Sequence, residues 1–221
     1  MKSLIKVTLI IALVFASTFI LAKVFGVLSV EQFQQWLQQA QQTSNSVLVA
    51  VVVVLLFADL FIAVPTLTLC ILSGYFLGLT IGGMAAFTGM TLAGGGGYWL
   101  SRRYGNRILK RLLPNESQRQ ELVVSFQRHG IIMILLSRAM PILPEVSACL
   151  AGMTKMPFSR FLMAWSAVSI PYVIIAAYSG SISTLDNLKP ALFAAIGLGV
   201  VFVSGWTLFK RKLQRRASRA S

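Results

Sequence analysis

Three ionisable side chains lie inside stretches that are otherwise apolar enough to enter a lipid bilayer. Asp59 interrupts residues 47–79, and Arg138 and Glu145 both lie within residues 131–156. An arginine stays protonated and presents a planar set of donors that suits a phosphate group, whereas a carboxyl group exchanges a proton as its surroundings change. Charged side chains at membrane depth usually serve a function. We therefore take Asp59, Arg138 and Glu145 as the candidate substrate and proton site.

The composition predicts an all-α polytopic membrane protein. Of the 221 residues, 56% are hydrophobic and 12% are charged, and the mean hydropathy is +0.76; about 25% of residues are charged in a typical soluble domain. Such a chain divides into membrane passes of about 20 apolar residues each. The apolar stretches are residues 4–22, 47–79, 80–101, 131–156, 161–179 and 190–209.

Prolines predict that two of these stretches bend within the membrane. Pro65 interrupts residues 47–79, and Pro141 and Pro144 interrupt residues 131–156. Proline breaks or kinks a helix, and broken backbone at membrane depth is tolerated only where protein or a water-filled cavity surrounds it. We therefore expect two re-entrant hairpins packed among about four transmembrane helices, although full crossings within residues 47–79 remain an alternative.

The two bent stretches also show a weak internal repeat. When they are superposed on a proline, four pairs of residues coincide or fall within one position of each other. These pairs are Pro65 with Pro144, Asp59 with Arg138, Cys70 with Cys149, and Gly74 with Gly152. In an inverted repeat the two hairpins meet near the membrane midplane from opposite sides, where transporter sites usually lie. That arrangement would bring the aspartate and the arginine close together.

The distribution of charge predicts an orientation and excludes nucleic acid as a partner. The net charge of +14 is concentrated in short clusters that flank apolar stretches, as the positive-inside rule describes, and no basic face with interleaved aromatic residues is present. If both hairpins return to the side from which they came, Lys23 and Lys189 lie outside, Arg138 lies in the membrane, and the other 17 of the 20 Lys and Arg residues are cytoplasmic. We predict cytoplasmic termini and a bacterial plasma (inner) membrane.

Small residues in residues 80–101 predict close helix packing. Gly82, Gly89 and Gly97 recur at helical spacing, so another helix can approach this face. Cys70 and Cys149 are expected to be packed side chains, and with His129 as the sole histidine the chain has too few ligands for a metal or haem site. No catalytic constellation, metal or cofactor is expected, and we do not expect an enzyme.

The remaining segments complete the predicted organisation. Residues 1–46 would form a retained transmembrane helix, for which a cleaved signal peptide is the alternative, followed by an amphipathic surface helix over residues 30–42. Residues 47–205 would be the membrane domain, with a polar, basic connector over residues 102–130. Residues 206–221 would be a basic cytoplasmic tail.

The second bent stretch resembles a known family signature. Residues 130–161, GIIMILLSRAMPILPEVSACLAGMTKMPFSRF, resemble the second signature of the DedA superfamily, whose shared module is also called the VTT or SNARE-associated Golgi protein domain. The first signature is matched more loosely, and the resemblance covers roughly residues 47–205. The matching positions are Gly130, Arg138, Pro141, Ala151, Gly152, Met156 and Phe161, and in the first signature Asp59, Pro65, Gly74 and Gly78.

The resemblance implies two inverted re-entrant hairpins and the movement of lipid between leaflets. Bacterial members are linked to undecaprenyl phosphate recycling and proton-dependent envelope homeostasis, and eukaryotic members to phospholipid scrambling. It also implies that Asp59 is the membrane-embedded acid and Arg138 the essential base. Thr66 after Pro65, and Glu145 after Pro144, depart from the common pattern and place the chain in a divergent branch.

These observations predict an integral membrane transporter for a phospholipid or a polyprenyl phosphate, with membrane lipid and protons as partners. Two alternatives stay open. The same arginine could serve a transporter of a small ion or oxyanion, or the glycine-rich faces and basic tail could belong to a membrane assembly factor that transports nothing. A homo-oligomer is compatible with each of these functions.

Overall fold

The computed structural model describes residues 5–13, 16–17, 35, 44–61, 64–139, 143–183, 189–190, 192–194, 196–201 and 204. Every regular element in these ranges is helical, as the composition predicts. The helices are α1 (Asn45–Ala58), α2 (Thr66–Leu112), α3 (Glu116–Leu136), a 3-10 turn (Ser137–Ala139), α4 (Leu143–Met153) and α5 (Phe158–Ser181). Pro141, the tail at 206–221, half of residues 1–22 and all but residue 35 of the predicted surface helix at 30–42 lie outside the described residues.

The long helix α2 consists of two limbs that fold back on each other. Gly78, with φ of 74° and ψ of 174°, interrupts the helical backbone, a conformation that glycine adopts readily because it has no Cβ. A Cβ on Gly82 would collide with the backbone of Ser73 and Gly74. Because residues eight positions apart cannot touch in a straight helix, the chain reverses at Gly78. We name the two limbs α2a (residues 66–77) and α2b (residues 79–112).

The second hairpin repeats this plan. Helix α3 ends at Leu136, the chain passes through the 3-10 turn at Ser137–Ala139, and α4 returns from Leu143 to Met153. The next turn contains Lys155, whose φ is 56°, and α5 follows it. The order in both halves is therefore an incoming limb, a break, a short return limb, a turn with positive φ, and a long helix.

The return limbs are too short to cross a bilayer. At about 1.5 Å per residue, α2a and α4 are about 16–18 Å long, against about 30 Å for the hydrocarbon core. Within the described residues, two helical stretches are long and apolar enough to span a membrane: Thr66–Arg111, which includes the reversal at Gly78, and Phe158–Ser181. The lengths favour hairpins that dip into the membrane and return.

Each short limb packs against the long helix of the other half. A Cβ on Gly74 of α2a would collide with the backbone of Ala177 in α5, and a Cβ on Gly152 of α4 would collide with the backbone of Tyr98 in α2b. Two apolar clusters contain these contacts between the halves. One joins α4 to Tyr98 of α2b, and the other joins α1 and α2a to Tyr172 of α5. The repeat expected from Gly74 and Gly152 is therefore visible as a repeated close packing.

The glycine face of α2b faces the first hairpin. Gly82 lies against α2a, Gly89 lies against Val53 and Leu56 of α1, and Gly97 lies against the side chain of Leu60. The predicted polar connector at 102–130 is itself mostly helical, because α2 continues to Leu112 and α3 begins at Glu116, with Asn115 accepting a hydrogen bond from Ser117 N–H at its start.

Candidate functional site

The breaks of the two hairpins meet at a small cavity of about 10 Å³, roughly the size that holds one water molecule. Its walls include all three ionisable residues identified in the sequence, Asp59, Arg138 and Glu145. Trp165 of α5 closes another wall, and Gly94 and Gly97 of α2b complete it. The tertiary structure therefore gathers the charges of both halves, and we call this cavity the charged chamber.

Asp59 holds the break of the first hairpin together. It lies directly after α1 and is 6% exposed. One carboxylate oxygen accepts a hydrogen bond from Val64 N–H at 2.8 Å, and the other accepts one from the Thr66 hydroxyl at 2.8 Å. Because Pro65 gives the start of α2a no side-chain cap, the carboxylate also places negative charge near the positive end of that helix.

Arg138 lies in the 3-10 turn of the second break and packs against one face of α5. Its guanidinium carbon is 4.9 Å from the centre of the Trp165 ring and 5.3 Å from that of Tyr172, distances at which a cation is attracted to the π face. One terminal nitrogen donates to the Ser169 hydroxyl at 3.2 Å. The buried Nε–H has no hydrogen-bond partner among the described residues.

Glu145 lies in the first turn of α4, so its carboxylate, like that of Asp59, is near the N-terminus of a return limb. Within the described residues, its Oε2 atom is buried without a hydrogen-bond partner. Glu145 interacts electrostatically with Arg138, and its carboxyl group lies within hydrogen-bonding reach of the Asp59 carboxyl group. The residues around the chamber therefore include a donor on Arg138 and an acceptor oxygen on Glu145 that have no partner in the described part of the chain.

Unused polar groups of this kind indicate a binding site. A buried donor or acceptor without a partner costs about 1–3 kcal/mol relative to a satisfied one. A water molecule, a proton or an oxyanion entering the chamber could satisfy Arg138 or Glu145. In the described part of the chain, no three His, Cys, Asp or Glu side chains come together as a metal site would require.

The comparisons with known proteins agree with this architecture. The model of the VTT domain family matches residues 64–182, which is more than half of the chain. This chain belongs to the VTT-domain family. An uncharacterized membrane protein from Synechocystis sp. is 27% identical over 168 residues, a match that covers 64% of this chain and 75% of the relative. No solved structure gives a significant match.

Membership in the family confirms the predicted resemblance and makes the chain a membrane protein. The VTT-domain match contains both return limbs and α5, together with Arg138 and Glu145, and begins five residues after Asp59. The hairpin residues predicted from the sequence lie at the breaks and packing points: Pro65 precedes the first residue of α2a, and Pro144 is the second residue of α4.

The sequence analysis did not identify the side chains of α5 that contact Arg138. Trp165, Ser169 and Tyr172 all contact Arg138. Their spacing of four and then three residues is the signal that could have identified them, because residues so spaced share one face of a helix. Gly94 of α2b leaves room for this wall, because the indole of Trp165 would lie 2.5 Å from a Cβ at that position.

The two cysteines are packed side chains. Cys70 is fully buried with its sulfur 3.6 Å from that of Met90, and Cys149 lies beside Gly97. Both cysteines are free thiols.

Proposed function

We propose that this VTT-domain protein moves a phosphate-bearing lipid between the two leaflets of the membrane, and that Arg138 binds the phosphate. The observation that carries the proposal is the buried Nε–H of Arg138, which has no hydrogen-bond partner among the described residues and lies beside a chamber formed by two broken hairpins. A guanidinium has several donors in one plane, and it binds phosphate oxygens two at a time. Phospholipids and polyprenyl phosphates both supply such a group.

The short return limbs support a lipid as the substrate. Since α2a and α4 are each about 16–18 Å long, the chamber where they begin lies about half a bilayer from either surface. A headgroup that reached it would therefore have travelled half of the way between leaflets. The chamber holds about one water molecule, so its walls must separate before a phosphate group can enter, whether that group belongs to a lipid or to a free oxyanion.

The charges of the chamber support coupling to a proton. Asp59, Glu145 and Arg138 together carry a formal charge of −1 when all are ionised, and a phosphate would add more negative charge. Uptake of one proton by a carboxyl group would offset this repulsion. Glu145 is the better candidate carrier, because both carboxylate oxygens of Asp59 already accept hydrogen bonds from the chain.

The distribution of Lys and Arg supports an orientation for this transport. With both termini cytoplasmic in a bacterial inner membrane, the basic end of α2 faces the cytoplasm. The proposed transport makes and breaks no covalent bond.

The proposal is tested with purified protein in vesicles of phosphatidylcholine and phosphatidylglycerol. A fluorescent phosphatidylglycerol is placed in both leaflets, and a quencher added outside reports how fast inner lipid reaches the outer leaflet. We expect Arg138→Gln to lower the flipping rate about 100-fold, which corresponds to about 2.7 kcal/mol and to the loss of charge-assisted hydrogen bonds. Arg128→Gln removes an exposed cation from the same helix region and should leave the rate unchanged.

Two results would contradict the proposal. If folded Arg138→Gln protein flips lipid at the wild-type rate, Arg138 does not bind the phosphate of the transported lipid. Wild-type vesicles that transport inorganic phosphate but flip no lipid would favour the oxyanion alternative.

An imposed pH gradient, inside acidic or inside alkaline, should change the flipping rate if a proton moves with the lipid, and Glu145→Gln should abolish that response.

A further inference from the structure

A groove on the surface of the first hairpin ends at the wall of the charged chamber. It has a volume of about 640 Å³, which is large enough for part of a lipid molecule, and it follows α2b from Gly96 to Tyr104. Its lining is apolar along most of its length and basic at one end. The lining residues are Leu60, Phe61, Gly96, Trp99, Leu100, Arg102, Arg103 and Tyr104.

Among the described residues, Leu60 alone is shared by the groove and the charged chamber. Its two methyl groups lie 3.0 Å from the positions that a Cβ would occupy on Gly96 and Gly97. Because these glycines have no side chains, the wall beside Leu60 consists of a single leucine over bare backbone. A rotamer change of this leucine would connect the two spaces.

The groove has the chemistry of a membrane–water interface at its basic end. Trp99 and Phe61 are 56% and 57% exposed, and the Arg103 guanidinium lies 5.8 Å from the centre of the Tyr104 ring. Exposed tryptophan and tyrosine beside arginine are typical of the headgroup level. Arg102 is held by hydrogen bonds to the Tyr98 hydroxyl and the Met156 carbonyl, whereas Arg103 is exposed and pairs only with its neighbouring ring among the contacts described.

We propose that this groove is the lateral access route for one anionic phospholipid, whose phosphate first binds Arg103 while an acyl chain lies along Phe61 and Leu100. Leu60 is the gate that the headgroup displaces on its way to Arg138. The inference rests on the proposed lipid transport. The access route is supported independently by the charge complementarity between a phosphate and two arginines in an otherwise apolar groove.

Trp99 provides a reporter for the groove that does not depend on transport. In the wild-type protein, brominated phosphatidylglycerol should quench the Trp99 fluorescence, obtained by subtracting the spectrum of Trp99→Phe, at a mole fraction about threefold lower than brominated phosphatidylcholine does. Arg103→Gln should make the two lipids equivalent. Arg107→Gln, which removes an exposed cation one turn further along α2b and outside the groove, should preserve the difference. Equal quenching by the two lipids in the wild type would overturn the proposal.

A second measurement separates a headgroup site from a phosphate site. Inorganic phosphate at millimolar concentration should leave the preference for brominated phosphatidylglycerol intact if binding needs the acyl chain in the groove. If phosphate removes the preference, Arg103 binds a free anion and the proposal of a lipid site is wrong.

The gate is tested by the size of residue 60. In the flipping assay, Leu60→Ala should raise the rate about threefold and Leu60→Trp should lower it about tenfold. The matched control is Leu92, an exposed leucine on α2b outside both cavities, and Leu92→Trp should have no effect.

If Arg138→Gln stops flipping while Leu60→Trp and Arg103→Gln do not change it, the access route is wrong and the lipid transport stands. If the wild type flips no lipid, the transport proposal fails and the Trp99 measurement still decides whether the groove binds lipid.

Discussion

The two hairpins share one plan but close their breaks in different ways. In the first, Asp59 accepts hydrogen bonds from Val64 and Thr66, so the break is closed by its own acid. In the second, the charged groups leave atoms unused: Nε of Arg138 and Oε2 of Glu145 have no hydrogen-bond partner in the described residues. Under the proposed function, the first break is mainly structural and the second carries the transport chemistry.

The first prediction tests what the hairpins share. Gly74→Ala and Gly152→Ala each place a Cβ against the backbone of a distant helix, so each should lower the free energy of unfolding by about 3 kcal/mol, at the upper end of the range for overpacking. Thermal unfolding in detergent measures the loss. Gly83→Ala is the matched control, because its Cβ would meet only side-chain atoms at 3.9 Å, and it should be neutral or stabilising. If only one of the two variants is destabilised, the two hairpins are not equivalent repeats.

The second prediction concerns the structural role of the first break. Asp59→Asn removes the charge and one acceptor oxygen, so the side chain can accept only one of the two hydrogen bonds that the carboxylate accepts from Val64 N–H and the Thr66 hydroxyl. We expect a loss of about 1–3 kcal/mol in stability, measured by the same unfolding experiment. Thr66→Val, which removes only the hydroxyl contact, should cost less. Unchanged stability in Asp59→Asn would mean that its carboxylate is free for transport chemistry.

The third prediction concerns the second break. Glu145→Gln keeps the size of the side chain but removes its charge and its ability to exchange a proton. Since no hydrogen bond holds its Oε2 atom in the described structure, we expect Glu145→Gln to lower the free energy of unfolding by less than Asp59→Asn does. The lipid flipping rate should fall about tenfold, which is about 1.4 kcal/mol in the barrier. A destabilised protein with normal flipping would reverse the roles assigned to the two hairpins.

The fourth prediction has the smallest expected effect. Gly94→Ala would push the indole of Trp165, which lies 2.5 Å from the new Cβ, and so disturb the ring that supports Arg138. We expect the flipping rate to fall about threefold, which is about 0.7 kcal/mol. Gly95→Ala, where nothing lies within 4 Å of the added carbon, should retain the wild-type rate. Equal effects of the two substitutions would argue against a contribution of Trp165.

Some features of the fold could be predicted because they depend on local chemistry. Apolar composition predicts helices in a membrane, and Pro65 and Pro144 mark where return limbs begin, since a proline lacks the N–H of a helix interior. The turn at Gly78 and the helices that fill residues 102–130 were not predicted. A glycine with positive φ resembles any other glycine in the sequence, and the polar ends of α2 and α3 carry no apolar pattern to distinguish them from a loop.

The sequence by itself determined that this is a helical membrane protein, that three charges lie within apolar stretches, and that prolines interrupt two of these stretches, because hydropathy, charge and proline act within a few residues of chain. Only the tertiary structure decided which partners the charged side chains contact. Asp59 finds its partners five and seven residues away, whereas Arg138 finds Ser169, Trp165 and Tyr172 on α5. Contacts between distant segments depend on how the helices pack, and that packing determines which polar atoms remain free to bind a substrate.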